Sequence, residues 1–490
     1  MGSGRLHVFL ALLASIFAAA LLANALPSTA SHAASSSDFD DAPPPFSYDR
    51  GGRTLRAVPV NILDVHVTYV ADAGSGHIDA TAEVRFVVER PGRPYFELYP
   101  RATALALDGR RLEPATLRRV RPTQPERVDP KVALLDLDKE LVPRSRPYVL
   151  RLAYRVPPSF DDFAQRGIEL VFHMSDTSRC KKKCSANTVF FADRYFPSNF
   201  EFDTFALKLD LTLKDDSERS YALFSNATTS TFDPDRRRWR LQFPSWFNTA
   251  SFYLHLTANA DAQTFPASSG PEAETYLPAI EIHVSRRRAA RHRPSIADIH
   301  AKVEAAIRGL SKHLGPFPFD RLVVDVGPRK AGTSRGMEYA GALWLPLGAS
   351  DDRLRHEVAH QWLGRSARPP TATDGWIDEG LASLLETETP AALSYGCAIP
   401  DKLDAVGPFS RHTPESAYSM GGLAMKKLRH DLGAQRHDVL LKRLAQTHRH
   451  GFLTRCHLYE AIRDVAGADA DTVLAPVDAC LDAPLRTSCQ

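Results

Sequence analysis

The residues best suited to chemistry lie in the run His356-Glu357-Val358-Ala359-His360. If the run is helical, His356 and His360 stand four apart and project from one face. Two imidazoles at that spacing can grip one Zn²⁺, and Glu357 between them can act as a general base toward water. The helix carries its own start signal: Ser350 as N-cap, Asp351 and Asp352 in the first turn, and Gly364 after the run. A solvent-facing helix with two surface histidines would show the same pattern, so a third ligand matters. A catalytic zinc takes one more protein ligand, often a carboxylate, and keeps its fourth position open. Glu379, nineteen positions beyond His360, offers it. Its neighbours Trp376, Ile377, Leu381 and Ala382 turn that segment inward, and a buried carboxylate needs a partner. The Pro- and Thr-rich stretch from Arg365 to Asp374 can turn the chain back and stack the second helix on the first.

Two kinds of periodicity flank these residues. Ile78, Ala80, Ala82, Val84, Phe86 and Val88 alternate with mostly polar residues, as do Phe205, Leu207, Leu209, Leu211 and Leu213. Period two over these lengths predicts strands with one buried face. Turn clusters such as Asp72–Gly76 and Asp233–Asp235 separate the strands, so residues 57–265 read as an all-β domain. Gln263 to Pro278 reads as a linker. The period then changes. Ile296, Ile299, Val303, Ile307, Leu310 and Leu314 line one face of a helix, with Ser295 and Asp298 resembling a capping box and Gly315 as a stop. Leu322–Val326 reads as a short buried strand, and helical patterns alternate with loops from there to about residue 480. The expected fold is α+β in two domains, the second spanning 277–485. The arginines between 286 and 293 read as a solvated turn.

Composition narrows the class. The chain has 490 residues, 43% hydrophobic and 24% charged, with a net charge of +3 from 61 basic and 58 acidic residues. That is globular and nearly neutral, and no nucleic-acid-binding motif is present. Arg5, the apolar stretch Val8–Leu22 and the small-residue sites at Ala23-Asn24-Ala25 and Ser31-His32-Ala33 read as a secretory signal over residues 1–34. An uncleaved membrane anchor is the alternative reading. The Ser-, Asp- and Pro-rich segment 35–56 reads as a disordered leader. Six cysteines (Cys180, Cys184, Cys397, Cys456, Cys480 and Cys489) in an exported chain suggest disulfides, with Cys180 and Cys184 able to close a small loop. Periplasmic or extracellular localisation is expected, with no membrane span after signal cleavage. Oligomeric state is not readable.

The motifs, in order, resemble those of the gluzincin zinc aminopeptidases, relatives of aminopeptidase N and leukotriene hydrolase. Gly336-Met337-Glu338-Tyr339-Ala340 resembles that family's Gly-x-Met-Glu-Asn signature. His356–Gly364 resembles its extended H-E-x-x-H-x-W-x-G, Trp376–Ala382 its W-x-N-E-G-x-A, and Tyr418–Gly421 its Y-x-K-G. The likeness spans about 57 to 484. It implies a saddle- or sandwich-like β domain packed on a thermolysin-like catalytic domain. It also implies one Zn²⁺ held by His356, His360 and Glu379, with Glu357 as general base and Tyr418 as donor to the oxyanion. Gly336, Met337 and Glu338 would bind substrate, Glu338 as the anchor for the free α-amino group of a peptide. The expected form is a short one, without the large C-terminal helical domain of many relatives.

This chain departs from the pattern in places. Tyr339 replaces the signature's Asn, Met420 the Lys of Y-x-K-G, and Asp378 the Asn before the third ligand. The second amine-holding residue usual in the β domain has no clear counterpart, and Asn187 lies in roughly that region. Two rival readings stand beside the aminopeptidase: a zinc endopeptidase or sister-family exopeptidase, and a catalytically silent peptide-binding scaffold.

Overall fold

The structure, a computed structural model, describes residues 42–489 except 121–131, 157–168, 173–174, 177–188, 191, 216–218, 259, 270–275, 287–292, 328–335, 387–402, 405–408, 410–412, 414–415 and 483. The signal segment, the Cys180–Cys184 loop, Asn187 and Cys397 lie outside these residues.

The N-terminal half is built on an eight-stranded sheet: β1 (Asn61–Asp72), β2 (His77–Val87), β3 (Ala102–Leu107), β4 (Arg110–Leu112), β5 (Tyr148–Val156), β6 (Ala206–Lys214), β7 (Thr229–Asp233) and β8 (Arg238–Gln242). Its order is β7-β8-β6-β1-β2-β5-β3-β4. The alternating residues behave as their period demands: Ile78, Ala80, Ala82, Val84 and Phe86 are all buried, and so are Leu207, Leu209, Leu211 and Leu213. β6 runs parallel to β1 at the sheet's centre. A parallel pair needs a long crossover, and here the chain from residue 73 to 205 provides it.

The leader expected over 35–56 is corrected by the structure from Phe46 onward, and residues 35–41 lie outside the described residues. Phe46–Arg50 and Arg53–Pro59 form a hairpin that edges a five-stranded sheet. Gly51 and Gly52 join the two strands with φ of +59° and +76°. Positive φ at both central residues is what a tight hairpin turn requires, and glycine adopts it without strain. The Gly-Gly pair was the available signal, masked by the polar composition before it.

The C-terminal half has a five-stranded sheet of β9 (Ala260–Phe265), β10 (Ala279–Ser285), β11 (Arg321–Gly327), β12 (Met337–Tyr339) and β13 (Ala342–Pro346), in the order β9-β10-β11-β13-β12. β9 thus belongs to this sheet, although its residues fall within the range expected for the β domain. β12 is an edge strand. The helices are α1 (Ile296–Leu314), α2 (Asp351–Ala359), α3 (Gly375–Leu385), α4 (Gly422–Leu432), α5 (Ala434–Thr447), α6 (Arg455–Ala466), α7 (Ala470–Asp478) and α8 (Leu485–Ser488). The spacing signal for α1 holds in detail. The Ser295 hydroxyl accepts from the Asp298 amide at 3.0 Å, and Gly315 ends the helix at φ +84°. Its apolar face, including Val303, Ile307 and Leu310, joins one continuous core with β10, β11, α2 and α3. A disulfide, Cys456–Cys489, ties the final helix to α6, and Cys480 is also disulfide-bonded.

The halves meet at β11 and the β12–β13 hairpin. Asp325 accepts from His255 Nδ1 at 2.7 Å and from the Tyr253 hydroxyl. Asn226 donates to the Ala340 carbonyl at 2.9 Å. Tyr339 is fully buried against Tyr253, with ring centroids 4.9 Å apart. The described residues pack as one unit.

Ile307 is completely buried in the α1 face. Ile307→Ala removes methylene contacts that the surrounding core cannot refill, so urea denaturation should show a loss of about 2–5 kcal/mol.

Candidate active site

The Ser350 hydroxyl caps α2 by accepting from the Arg353 amide at 3.2 Å. Leu354, Val358 and Ala359 bury one face of the short helix. Just past its end, the His360 amide still donates to the His356 carbonyl. This keeps His356 and His360 in helical register, and both are almost wholly buried. α3 stacks against α2, with Trp376, Ile377 and Leu381 in the core. Arg455 holds the start of α3 by donating to Asp374 Oδ1 at 2.7 Å.

This stacking brings three ligand atoms into a triangle. His356 Nε2 lies 3.1 Å from His360 Nε2, and each lies 3.5 Å from Glu379 Oε2. A tetrahedral zinc with bonds of about 2.0–2.1 Å spaces its ligand atoms roughly 3.3–3.4 Å apart. Glu379 Oε2 is buried and has no hydrogen-bond partner in the protein. The surrounding charge agrees. Glu338, Glu357, Asp378 and Glu379 are all buried, and two guanidiniums face them, Arg365 beside Glu338 and Arg353 at 3.8 Å from Glu357. A cation between the three ligands satisfies the orphaned oxygen and offsets the excess of carboxylates. The residues therefore fit a zinc ion. His356, His360 and Glu379 form the one such cluster among the described residues.

Burial works against protonation of the histidines, but the carboxylates outweigh it. The nearby carboxylates of Glu379 and Glu386 raise His356 to about 10, and Glu338 and Glu379 raise His360 to about 9. The Glu379 carboxyl is held well below its ordinary range, because the two histidines overcome its burial. Glu357 is pushed up, first by burial and then by the neighbouring Glu338.

Side chains around the triangle orient it. His356 Nδ1 is 2.9 Å from Glu386 Oε2. Glu386, seven residues past Glu379, falls on the same side of α3 two turns later, a spacing that sequence analysis could have used and did not. The Gln361 side chain accepts from the Gly341 amide at 2.9 Å and ties α2 to the β12–β13 hairpin. Trp362 Nε1 donates to the Gly315 and Pro316 carbonyls at 3.0 and 2.9 Å. Gly364 has a φ of +137°, and a Cβ there would lie 3.0 Å from His360 Nδ1. Gly336 lies against the general-base candidate, since a Cβ would come within 2.6 Å of the Glu357 carboxyl.

Glu338 lies on β12, close to His360 and Glu357. Alternation along the strand sends Met337 and Tyr339 to the other face, where both pack in the cluster around Tyr253. Of the three residues expected to bind substrate, Met337 is corrected: its side chain faces the β half, leaving Gly336 and Glu338 toward the centre. Glu338 also has a partner the sequence did not suggest, an ion pair with the buried Arg365 guanidinium. Arg365, more than burial opposes it, lowers the Glu338 carboxyl. In place of an identified second anchor, the β half contributes Glu201. Burial raises its carboxyl to about 7 against the pull of Arg365 and Arg368.

Tyr418 reaches the centre by a close backbone contact. The turn Ala417–Gly421 is a single wide helical turn, a form frequent at functional sites. Gly421 packs directly on Gly380 of α3, where a Cβ on Gly380 would meet the Gly421 backbone at 2.9 Å. The Tyr418 hydroxyl is thereby brought to Glu379, and burial followed by the Glu379 charge raises its pKa. Met420 packs against the core.

No protein-family model matches the chain, and none of the curated proteins does. Solved structures do match. The M1 zinc metallopeptidase from Deinococcus radiodurans superposes with a TM-score of 0.59 at 20% identity, over 87% of this chain and 95% of that one. A variant of that enzyme bound to the substrate Tyr-Ser-Ala gives 0.58 at 19%, over 87% and 96%. Native yeast LTA4 hydrolase gives 0.57 at 12%, over 87% of this chain and 68% of its own.

Two measurements probe the centre. Glu386→Gln weakens the partner that orients His356, so zinc affinity by competitive chelation should fall roughly 10- to 100-fold. Without metal, the raised histidines bind protons throughout the neutral range, and ligation needs them neutral. Zinc binding should therefore release about one to two protons at pH 7, with apparent affinity rising toward pH 9–10, as calorimetry in buffers of different ionisation enthalpy would show. The β-rich half, the helical half and the ligand triangle together give this chain the fold of the two-domain M1 zinc metallopeptidases.

Proposed function

We propose that the protein is a zinc-dependent aminopeptidase that hydrolyses the N-terminal bond of peptides. The observation that carries this reading is Glu338. A buried carboxylate on an edge strand stands beside the ligand triangle, where it can receive a free α-ammonium group one residue from the scissile bond. The substrate-bound structural neighbour supports peptides as the substrate class.

Bound zinc would supply a Lewis acid for the scissile carbonyl and lower the pKa of water at the site toward about 7. The chain's own residues do the rest. Glu357 takes a proton from the attacking water and delivers it to the departing amine. Its carboxyl lies under Gly336, so the substrate backbone can approach it without a side chain in the way. The Tyr418 hydroxyl, with its proton held firmly by its raised pKa, donates to the oxyanion. The free edge of β12 offers backbone groups to an extended peptide.

One observation favours a second reading. Arg365 already neutralises Glu338, so a peptide with a blocked N-terminus would lose less here than in a site with a free carboxylate. On that reading the protein is a zinc endopeptidase. For localisation, we propose export. The apolar N-terminal segment supports it, as does the Cys456–Cys489 disulfide, a bond that persists in oxidising compartments.

The decisive assay uses fluorogenic aminoacyl amides, free and N-acetylated, with the zinc-loaded protein. Glu357→Gln should lower kcat by at least about 100-fold, the usual scale of general acid–base catalysis. Glu338→Gln should raise KM for free amides and leave any acetylated substrate unaffected. Equal cleavage of free and acetylated amides by the wild-type protein would reject the aminopeptidase reading in favour of the endopeptidase.

A further inference from the structure

A cavity of about 260 Å³, lined by none of the three ligand residues, opens between α1, α5 and the ends of α3 and α4. Its polar lining is mostly basic. Lys312 comes from α1, Arg355 from α2 and Arg429 from α4. Lys312 and Arg429 make no hydrogen bond or ion pair with a carboxylate among the described residues. Arg355 Nε donates to the Leu385 carbonyl at 2.7 Å, and the tip of its guanidinium lies beside Gly309, where a Cβ would come within 2.8 Å of Nη1. The one acid in the lining, Asp438, is engaged by His313 at 3.0 Å. Lys312 and Arg429 thus bring two fixed positive charges to a lining whose one acid is already paired.

His437 supplies an independent observation. It lines the same cavity, is 1% exposed, and neither ring nitrogen has a hydrogen-bond partner. Burial, with Arg429 nearby, lowers its pKa to about 4, so its imidazole is neutral at physiological pH. A buried neutral imidazole offers one donor and one acceptor, and leaving both unmade is costly. A partly protonated oxyanion answers both, accepting from one nitrogen and donating to the other, while its charge meets Lys312 and Arg429.

We infer that this cavity is a binding site for a small oxyanion of the phosphate class, held by Lys312, Arg429 and His437. It is separate from the metal centre, although the two share a helix end. Arg355 precedes His356, and Leu385, whose carbonyl Arg355 holds, precedes Glu386, the partner of His356. The volume exceeds that of a bare phosphate ion, so the group is either free or carried on a small organic body.

The test is isothermal titration of the full chain with inorganic phosphate and, separately, with glucose 6-phosphate. Each is measured at fixed ionic strength in the wild-type protein and in the Lys312→Gln/Arg429→Gln double variant. Both substituted side chains are at least partly exposed, and far-ultraviolet circular dichroism checks that the variant folds. Saturable one-to-one binding that weakens by about tenfold or more in the double variant is expected, since two charge-assisted contacts are lost. Tighter binding of the monoester would identify an organic phosphate as the occupant, and equal or weaker binding the free ion. His437→Phe, which leaves Lys312 and Arg429 in place, should weaken binding as well. Two results would overturn the assignment: affinity unchanged in the double variant, as for phosphate bound at the metal centre, or heats that sodium chloride at equal ionic strength reproduces.

Discussion

Four buried carboxyl groups and two buried imidazoles crowd the space beside α2 and α3, with the guanidiniums of Arg353 and Arg365 as their fixed cations. Left to themselves, His356, His360 and Glu357 are accommodated by retaining protons. A divalent ion in the triangle of His356, His360 and Glu379 resolves the conflict at its source. Much of the remaining architecture can be understood as a means of keeping those three atoms 3.1–3.5 Å apart. The cost of burying the charges is met by the stacked helices, whose apolar faces form the core of the C-terminal half.

The supports around the triangle share a physical theme, which is close approach. Gly336 lets a strand lie on the Glu357 carboxyl, Gly364 lets the chain turn beside His360, and the Gly380–Gly421 contact delivers Tyr418. At each point a side chain would collide with the machinery. Longer polar side chains then pin separate elements together: Gln361 to the Glu338 hairpin, Trp362 to the turn after α1, and Glu386 to the imidazole of His356. Precision here comes from backbone proximity and from hydrogen bonds that leave few alternatives.

The departures from the aminopeptidase motifs acquire separate meanings. Tyr339 contributes to packing. It buries its ring against Tyr253 and joins the C-terminal half to the β half. Asp378 lies beside Gly364 and His360, with its carboxyl raised by burial. Arg365, which the motifs did not single out, holds Glu338 in an ion pair.

What the sequence determined by itself was the local geometry. Helical spacing puts His356 and His360 on one face whatever the surroundings, and the caps at Ser295 and Ser350 act within a single turn. The alternation in β1, β2 and β6 declares a buried face without naming its partner. The apolar neighbours of Glu379 turn it inward, and the resemblance alone singled out Tyr418. The tertiary structure alone decided what depends on which faces meet. It turned Glu338 inward and Met337 outward, paired Glu338 with Arg365 across 27 positions, and brought Glu201 in from the other half. It also set Lys312, Arg355, Arg429 and His437 around one cavity. The reason is physical. Short-range patterns follow from bond geometry and helical or strand period, whereas these pairings arise when distant segments compete for the same buried space. Nothing in the spacing of Arg365 and Glu338 along the chain records that they share it.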